Sequence, residues 1–389
     1  MSVTRPKGFS ASGVHCGIKP GDALDLALVA TADGQPVPAA AVFTSNRASA
    51  APVLVSRAHL EATGGMAAAV VLNSGNANAA TGQAGRQAAE RTCALVAEGL
   101  GCEPAEVLVC STGLIGIPLP EEPLFAGIGP LVEARKGSEA AGALAAQAIM
   151  TTDTRVKETT VGTGLLTVGG MAKGAAMLAP NLATMLAVLT TDAEATPQEL
   201  AEALRVAVAG TFNALVVDGC TSTNDTVIVL ASGKGGRPPA GALADALTLA
   251  CADLAEQMAD DAEGATKVAT IKVTGARSSD DARRAARKVA ESQLVQCSLH
   301  GGDPYWGRIV SELGSSGADF DPDLVRVSYG GVVVARDGVA VDHDTARVRD
   351  HMDGRMVEVA ADLGLGEGEA TFLATALSPA YIDENMRTS

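Results

Sequence analysis

The chain has 389 residues, of which 47% are hydrophobic and 19% charged, a balance typical of a globular protein long enough for two or more lobes. Its formal net charge of -16 would repel a phosphate backbone, which excludes nucleic acid as an expected partner. No apolar run approaches the roughly 18 residues that span a bilayer, and the first residues lack an apolar signal core. We therefore expect a cytoplasmic protein with no membrane partner.

The first part of the chain alternates strand-like and helix-like segments. The run MAAAVVLN (66–73) predicts a strand, SGNANAATG (74–82) a loop and residues 83–99 a helix. A second unit follows, in which the apolar run VLVC (107–110) predicts a strand that ends at the loop STGLIG (111–116). The small residues of that loop leave backbone amides accessible, so it is a candidate anion cradle.

The middle of the chain leads to a polar cluster and then to a glycine-rich segment. An alanine-rich helix is expected from Ser138, a suitable N-cap, to Met150, where the cluster MTTDT begins. The run LLTVGGMAKG (165–174) predicts a strand that runs into glycine, and MLAVLTTD (185–192) predicts a buried strand. Thr184 stands immediately before that buried strand.

The second half continues the α/β alternation. Thr196, Pro197 and Glu199 combine an N-cap, a proline at the first helical position and a capping-box glutamate, so a helix is predicted from there to about Ala209. Strands are expected at 214–219, 226–233 and 268–275, with a long helix at about 240–259. From about residue 276 we expect a smaller C-terminal α+β subdomain, with a charged helix at 280–292 and a Gly-Gly hairpin at 325–338.

The common catalytic motifs are missing from the sequence. There is no GxxxxGK[ST] phosphate loop, HExxH helix, GxSxG elbow or EF-hand loop. The histidines are isolated from one another, which disfavours a metal site or a Ser-His-Asp triad: His15, His59, His300, His343 and His351. The seven cysteines include no CxxC pair and are read as reduced thiols.

A hydroxyl before a buried strand is usually a strand residue or a cap, so composition alone does not make Thr184 a nucleophile. The chain nevertheless resembles the ornithine acetyltransferases, which acetylate glutamate and are related in fold to self-processing aminopeptidases. The resemblance covers nearly the whole chain and lies in these segments: AAVFTSNRASAAPV, VLNSGNANAATG, CSTGLIG, AIMTTDT, GGMAKGAAMLAPNLATML, TFNALVVDG, TSTNDT, DAEG and DPYWGR.

The resemblance implies a self-cleaving enzyme with an N-terminal threonine. Members cleave before the threonine of ATML, which is here the bond Ala183–Thr184. The α-amine thus exposed has a reference pKa of about 7.7–8.0 and can accept the proton of its own hydroxyl. The hydroxyl then takes the acetyl group of N-acetylornithine as an ester and passes it to glutamate in a ping-pong cycle. No cofactor is required.

The resemblance also implies the site residues and the assembly. Thr112 and Gly113 are expected to stabilise the oxyanion. The expected substrate contacts, beside the nucleophile Thr184 itself, are Thr151, Lys173, Glu263, Asn385 and Ser389. The expected fold is a layered α/β sandwich of mixed sheets and helices. Residues 1–183 would form an α-chain lobe that carries the oxyanion loop and 184–389 a β-chain, and the two fragments would stay associated in an α2β2 oligomer.

Several positions depart from the family pattern around the expected substrate pocket. Gln296 replaces a lysine, Cys220 an aspartate and Tyr305 an asparagine, and the tail after Asn385 differs. Removing a lysine and a carboxylate changes the charge near a zwitterionic substrate. Two alternatives follow: a relative that acts as acyltransferase or amidohydrolase on another acyl amino acid, or an uncleaved amino-acid-binding pseudoenzyme.

Overall fold

The computed structural model describes residues 2–177 and 185–386, which fold into two compact units. Within these residues the first unit comprises 2–174, 185–213 and 221–258. The second unit comprises 175–177, 214–220 and 259–386. The expected domain boundaries, at residue 184 and near 276, stay predictions.

The strands and helices of the described ranges alternate along the chain. The strands are β1 Phe9–Val14, β2 Leu26–Thr31, β3 Val37–Phe43, β4 Met66–Ala67, β5 Ala69–Asn76, β6 Val107–Leu114, β7 Lys157–Gly162, β8 Thr167–Lys173, β9 Leu186–Ala193, β10 Leu215–Val216, β11 Thr226–Gly236, β12 Val268–Ala276, β13 Arg326–Tyr329, β14 Val332–Arg336, β15 Val339–Ala340, β16 Met356–Asp362 and β17 Gly368–Thr375. The α-helices are α1 Ala51–Ala62, α2 Gly82–Leu100, α3 Glu121–Glu133, α4 Glu139–Ala148, α5 Pro197–Ala209, α6 Ala242–Asp260, α7 Ser279–Ala290, α8 Gln293–Gly301, α9 Trp306–Gly314, α10 Thr345–Asp353 and α11 Pro379–Asn385.

The first unit is built from two sheets with helices on their outer faces. One sheet has the order β1-β2-β5-β6 and the other the order β4-β3-β11-β9-β8-β7. Helices α1, α2 and α3 cover one face of the four-stranded sheet, while its other face packs with α4 against the six-stranded sheet. On the far side of that second sheet, α5 packs against β3, and Leu254 of α6 lies over Gly170 in β8. The predicted layered α/β sandwich is confirmed.

The strand β5 shows why its sequence is a continuous apolar run. Val70 and Leu72 belong to the core between the two sheets, whereas Ala69 and Val71 belong to the core beneath the helices. Successive side chains of a strand point to opposite faces, so a strand buried on both faces needs apolar residues at every position. This central strand extends into the segment predicted as the Gly/Asn loop, since it continues to Asn76.

Local signals in the sequence explain where several helices begin. The Ser138 hydroxyl accepts the N–H of Ala141 at the start of α4, as predicted. Thr196 and Glu199 form the predicted capping box of α5. The ends of β5 and β6 were predicted wrongly, because the two strands pair into both predicted loops: β5 continues to Asn76 and β6 to Leu114.

The second unit contains a seven-stranded sheet of order β10-β17-β12-β16-β13-β14-β15. Helix α7 packs against β12 and β17, and its Ala285 and Val289 share a core with Val327 and Phe372 of the sheet. The hairpin between β13 and β14 turns at two glycines with positive φ, as predicted from the Gly-Gly pair. The expected C-terminal α+β part is therefore present. No helix within the described ranges is long and apolar enough to cross a bilayer.

Candidate active site

The ends of β5 and β6 lie side by side and carry the predicted oxyanion residues. Thr112 is 2% exposed and pairs with Ser74, while Gly113 pairs with Gly75. Gly113 has a φ of +131°, and a Cβ built there would lie 2.3 Å from the carbonyl carbon of Gly75. Because two backbones approach this closely, only glycine fits the position. The oxyanion role of these residues stays a prediction.

Asn224 fixes the backbone just before Thr112. Its Nδ2 donates to the carbonyl of Ser111 at 2.9 Å and to the carbonyl of Ala77 at 2.6 Å. The Ser111 hydroxyl donates in turn to Oδ1 of Asn73 at 2.6 Å. Buried polar groups that are fully hydrogen-bonded rigidify their surroundings. The strand end that presents Thr112 is therefore held by side chains from two other segments.

Lys173 is a buried, charge-paired lysine at the end of β8. It is 3% exposed, and its Nζ lies 4.0 Å from Oδ2 of Asp153, whose side chain is fully buried. Lys157 is also buried, and its Nζ donates to Oδ1 of Asp153 at 2.7 Å. One carboxylate therefore lies between two buried ammonium groups. Lys173 is therefore a buried residue and not a solvated surface lysine.

Asp153 also organises the backbone around the predicted substrate contacts. Its Oδ2 accepts the N–H of Thr151 at 3.0 Å, and its Oδ1 accepts the N–H of Gly174 at 2.8 Å. Burial would raise the pKa of Asp153, but the positive charges of Lys173 and Lys157 and the Gly174 N–H outweigh that effect and lower the pKa to about 2. Asp153 is therefore ionised throughout the physiological range.

A third lysine approaches the same region. Lys19 is half-buried, and its Nζ donates to the carbonyl of Met150 at 2.5 Å and to that of Leu24 at 3.0 Å. Burial lowers the pKa of Lys19, and the positive charge of Lys173 acts in the same direction, against the opposing charge of Asp25. The carbonyl that it binds precedes Thr151 in the chain, so this lysine also restrains the predicted substrate loop.

Three neighbouring strands of the six-stranded sheet, β8, β9 and β11, have ends that lie side by side. Lys173, the last residue of β8, pairs with Leu186 at the start of β9, and Leu186 pairs with Thr226 at the start of β11. The residue before Thr226 is Asp225, whose Oδ1 accepts the N–H of Met185 at 2.8 Å. This edge therefore carries the residue that follows Thr184. Thr184 and Ala183 themselves lie outside the described residues.

Asp225 is fully buried, and its carboxyl group is only partly satisfied. Its Oδ2 has no hydrogen-bond partner among the described residues. Burial raises the pKa of Asp225 well above its ordinary range, and the Met185 N–H, the hydroxyl and N–H of Ser222 and the positive charge of Lys173 oppose that rise. A buried, incompletely satisfied polar group at this edge calls for a functional explanation.

In the second unit, Glu263 and Asn385 form a hydrogen-bonded pair. Nδ2 of Asn385, at the end of α11, donates to Oε2 of Glu263 at 2.7 Å. Helix α11 is tied to the residue after Glu263, because the Ser378 hydroxyl donates to the carbonyl of Gly264 at 2.6 Å. Two predicted substrate contacts, 122 residues apart in sequence, are thus brought together. Ser389, which was also predicted to contact the substrate, lies outside the described residues.

Asp218 connects its own segment to two other segments of the second unit. Its Oδ2 accepts the N–H of Met177 at 2.6 Å and the hydroxyl of Tyr381 at 3.0 Å, and its Oδ1 accepts the N–H of Cys220 at 3.0 Å. Burial raises the pKa of Asp218, while these donors oppose the rise. Tyr381 belongs to α11, so Asp218 helps to hold the helix that carries Asn385.

The positions that depart from the family pattern are described in the same unit. Gln296 is buried, and its Nε2 donates to the carbonyl of Val217 at 2.8 Å, so it supports the backbone next to Asp218 without adding charge. Cys220 is exposed. Tyr305 is 55% exposed, and the guanidinium carbon of Arg308 lies 5.7 Å from the centre of its ring.

Comparison with known proteins shows the family. The model of the ArgJ family matches residues 10–388. The chain is 49% identical to the arginine biosynthesis bifunctional protein ArgJ of Mycolicibacterium paratuberculosis, over 99% of this chain and 96% of that protein. It is 48% identical to the protein of the same name from Mycobacterium tuberculosis, over the same shares. The chain belongs to the ArgJ family.

Membership of the ArgJ family confirms the predicted N-acetyltransferase of arginine biosynthesis. Among solved structures, the chain is similar to the ornithine acetyltransferase of Mycobacterium tuberculosis in complex with ornithine. That likeness has 47% identity and a TM-score of 0.44, and it covers 46% of this chain and 94% of the solved chain. Enzymes of the ArgJ family act on small amino-acid substrates.

Within this ArgJ-family chain, the sequence did not single out the residues that support the predicted site. Asp153, Asn224, Asp225 and Asp218 were not proposed, although all four stand in the quoted segments AIMTTDT, TSTNDT and TFNALVVDG. Burying a carboxylate costs free energy unless it is paired. An aspartate in a run of small polar residues next to a predicted strand is therefore the sequence signal that could have indicated a supporting site residue. Within residues 2–177 and 185–386, no cluster of His, Cys, Asp and Glu side chains could hold a metal ion.

Proposed function

We propose that the protein transfers an acetyl group from N-acetylornithine to glutamate, through an acetyl ester on Thr184, after it cuts its own chain between Ala183 and Thr184. Family membership supports the acetyl transfer. The donor, the acceptor and the roles of individual residues are the proposed part.

The observation that carries the proposal is the bridge made by the adjacent residues Asn224 and Asp225. Asn224 binds the carbonyl of Ser111, directly before the proposed oxyanion pair. Asp225 binds the N–H of Met185, directly after the proposed nucleophile. Two neighbouring residues therefore tie the oxyanion strand to the residue next to Thr184. An N-terminal nucleophile needs this kind of fixed relation between the attacking group and the oxyanion donors.

The proposed chemistry uses the Thr184 α-amine as the base. Its neutral form accepts the hydroxyl proton while the hydroxyl oxygen attacks the acetyl carbonyl of the donor, so that no histidine is needed. The Thr112 hydroxyl and the Gly113 N–H donate to the resulting oxyanion. Removal of one such donor typically raises the barrier by about 2.7–4 kcal/mol. The ornithine amine leaves, and the amine of glutamate then takes the acetyl group from the ester.

In the first unit, Lys173 and Thr151 are the proposed contacts for the substrate. An ammonium group is a natural partner for a substrate carboxylate, and Asp153 holds both the Lys173 side chain and the Thr151 backbone in place. A buried ammonium strengthens such a contact because water screens it less.

In the second unit, Glu263 and Asn385 are the proposed contacts for a substrate ammonium group, with Ser389 as a further contact from the tail. The carboxylate of Glu263 supplies the negative charge, and its bond to Asn385 fixes the orientation of that carboxylate.

We extend the proposal to the assembly and the location of the protein. As the resemblance implies, the two fragments stay associated in an α2β2 assembly in the cytoplasm.

Intact-mass measurement of the purified protein tests the cleavage. Wild type should give two fragments that meet at the Ala183–Thr184 bond, and Thr184→Ala should remain a single, inactive chain because it lacks the hydroxyl. Thr184→Ser keeps a hydroxyl and is the matched control, which should still be cut. Cleavage of Thr184→Ala at the same bond would refute the scheme.

The same preparations serve for the transfer assay. Wild type should form N-acetylglutamate from N-acetylornithine and glutamate and should release no free acetate in excess of the background rate. A panel of other acyl amino acids, and a reaction without any amine acceptor, tests the alternatives that Cys220, Gln296 and Tyr305 suggest. Turnover of another acyl amino acid together with no transfer from N-acetylornithine would replace the proposed substrate and leave the cleavage chemistry intact.

A further inference from the structure

Asp225 is a buried group that neither exchanges a proton nor contacts the substrate in the proposed transfer. Its side chain is fully buried, one carboxyl oxygen binds the Met185 N–H, and the other has no hydrogen-bond partner among the described residues. Leaving a buried carboxyl oxygen unsatisfied costs free energy. Such a residue is expected where its placement serves the site rather than the stability of the fold.

The atom that Asp225 holds is covalently joined to the proposed nucleophile. The nitrogen of Met185 forms the peptide bond with the carbonyl carbon of Thr184, and a peptide group is planar. The 2.8 Å bond from this nitrogen to Oδ1 of Asp225 therefore restrains the atom at which Met185 is joined to Thr184. This restraint follows from chain connectivity alone.

Asp225 is itself held firmly at the sheet edge. Its own carbonyl accepts the N–H of Thr44 at 2.9 Å, which continues the pairing of β11 with β3. The N–H of the next residue, Thr226, donates to the carbonyl of Met185 at 3.2 Å. Met185 is thus bound through both its N–H and its carbonyl by two consecutive residues, so that its backbone has a fixed direction.

We propose that Asp225 is the positioning residue of self-cleavage, in which the Thr184 hydroxyl attacks the carbonyl carbon of Ala183, because Asp225 fixes the Met185 nitrogen that is covalently joined to Thr184. This inference rests on the proposed function. In the first step the Oγ–C bond forms, the C–N bond of the Ala183–Thr184 peptide breaks, and the hydroxyl proton passes to the departing amine. Water then hydrolyses the ester, which leaves the carboxylate of Ala183 and the free hydroxyl of Thr184.

In this proposal Asp225 acts as a hydrogen-bond acceptor and not as an acid or a base. If the hydrogen bond to Met185 is what matters, any residue of the same shape that keeps an acceptor oxygen should support cleavage. Asn has that oxygen but no exchangeable carboxyl proton, and Ala has neither. The pair Asp225→Asn and Asp225→Ala therefore distinguishes positioning from proton transfer.

The experiment follows the loss of full-length chain by intact mass after synthesis. Asp225→Asn should be cut within about five-fold of the wild-type rate, and Asp225→Ala at least about ten-fold more slowly, as the loss of a hydrogen bond of about 1.5 kcal/mol implies. Asp192→Ala is the matched control: Asp192 is buried at the opposite end of β9, accepts the N–H of Thr167 at 2.7 Å, and its loss should leave cleavage unchanged.

Wild-type cleavage of Asp225→Ala would overturn the inference, and so would a ten-fold slowing in folded Asp225→Asn. Folding is checked by thermal unfolding of each variant combined with Thr184→Ala, so that cleavage does not alter the comparison. If Asp225→Ala does not fold, Asp225→Leu, which keeps the shape of the side chain without an acceptor oxygen, takes its place and should be cut at least about ten-fold more slowly than Asp225→Asn. Failure of the proposed function gives a different pattern, since wild type would then remain uncut or Thr184→Ala would be cut.

Discussion

Two buried aspartates perform different tasks at the same end of the first unit. Asp153 accepts two backbone N–H groups and lies between two buried lysines, so its negative charge is compensated. Asp225 accepts the Met185 N–H, and its Oδ2 has no hydrogen-bond partner among the described residues. The difference in surroundings lowers the pKa of the first carboxyl group and raises that of the second. One residue type therefore supplies a fixed charge at one position and a fixed geometry at the other.

Replacing Asp153 with asparagine should lower stability in a pH-dependent manner. The folded-state pKa of about 2 lies below the unfolded value of about 3.9, so the ionised carboxylate contributes stability above pH 4 that is lost as the pH falls towards 2. The shift corresponds to about 2 kcal/mol. Denaturant unfolding at a series of pH values should show Asp153→Asn less stable at pH 7, with the gap closing in acid. A gap that is the same at all pH values would contradict this electrostatic account.

At the scale of elements, the sequence predicted what local chemistry determines. The starts of α4 and α5 follow from Ser138 and from the capping box of Thr196, which act within one helical turn. The order of strands was not predictable, because a pairing such as that of β3 with β11 joins residues far apart in the chain. The burial of Lys173 depends in the same way on Asp153, which is 20 residues earlier and reaches it only in the folded sheet. Its site role came from the family resemblance.

Helix α11 provides a test of how one element supports the substrate contacts of the second unit. Tyr381→Phe removes the hydroxyl that binds Asp218 and should loosen the helix that presents Asn385 to Glu263. We expect KM to rise by up to about ten-fold with little change in kcat, since a bond to a charged group contributes about 1.5 kcal/mol. Steady-state kinetics measure both constants. Tyr329→Phe, which removes a buried hydroxyl on β13 of the same unit, should leave KM unchanged.

At the scale of the whole molecule, the proposed cut at Ala183–Thr184 would divide one sheet between two chains. The order β4-β3-β11-β9-β8-β7 places β11 and β9, from the later fragment, between two pairs of strands from the earlier one. Hydrogen bonds from β3 to β11 and from β8 to β9 would then both cross between fragments. Among the described residues, strands of both fragments also contribute side chains to the core between the two sheets of the first unit.

The fragments of the cut protein should therefore remain together under native conditions. Size-exclusion chromatography of wild type should give a single peak that contains both fragments in equal amounts, and denaturant should release them only at the concentration that unfolds the first unit. Thr184→Ala, which stays uncut, provides the reference elution volume. Release of either fragment without loss of secondary structure would contradict this account.

Because the proposed cut falls between two paired strands, folding before the cut differs from refolding after it. While the chain is continuous, β8 and β9 are joined by a short connection, so their pairing is intramolecular and needs little loop-closure entropy. After the cut the same pairing becomes an encounter between two chains, and its yield depends on their concentration. The energy barrier to unfolding then protects a structure that cannot be rebuilt as easily as it was first made. For this enzyme, activation and the loss of efficient refolding would be one and the same covalent event.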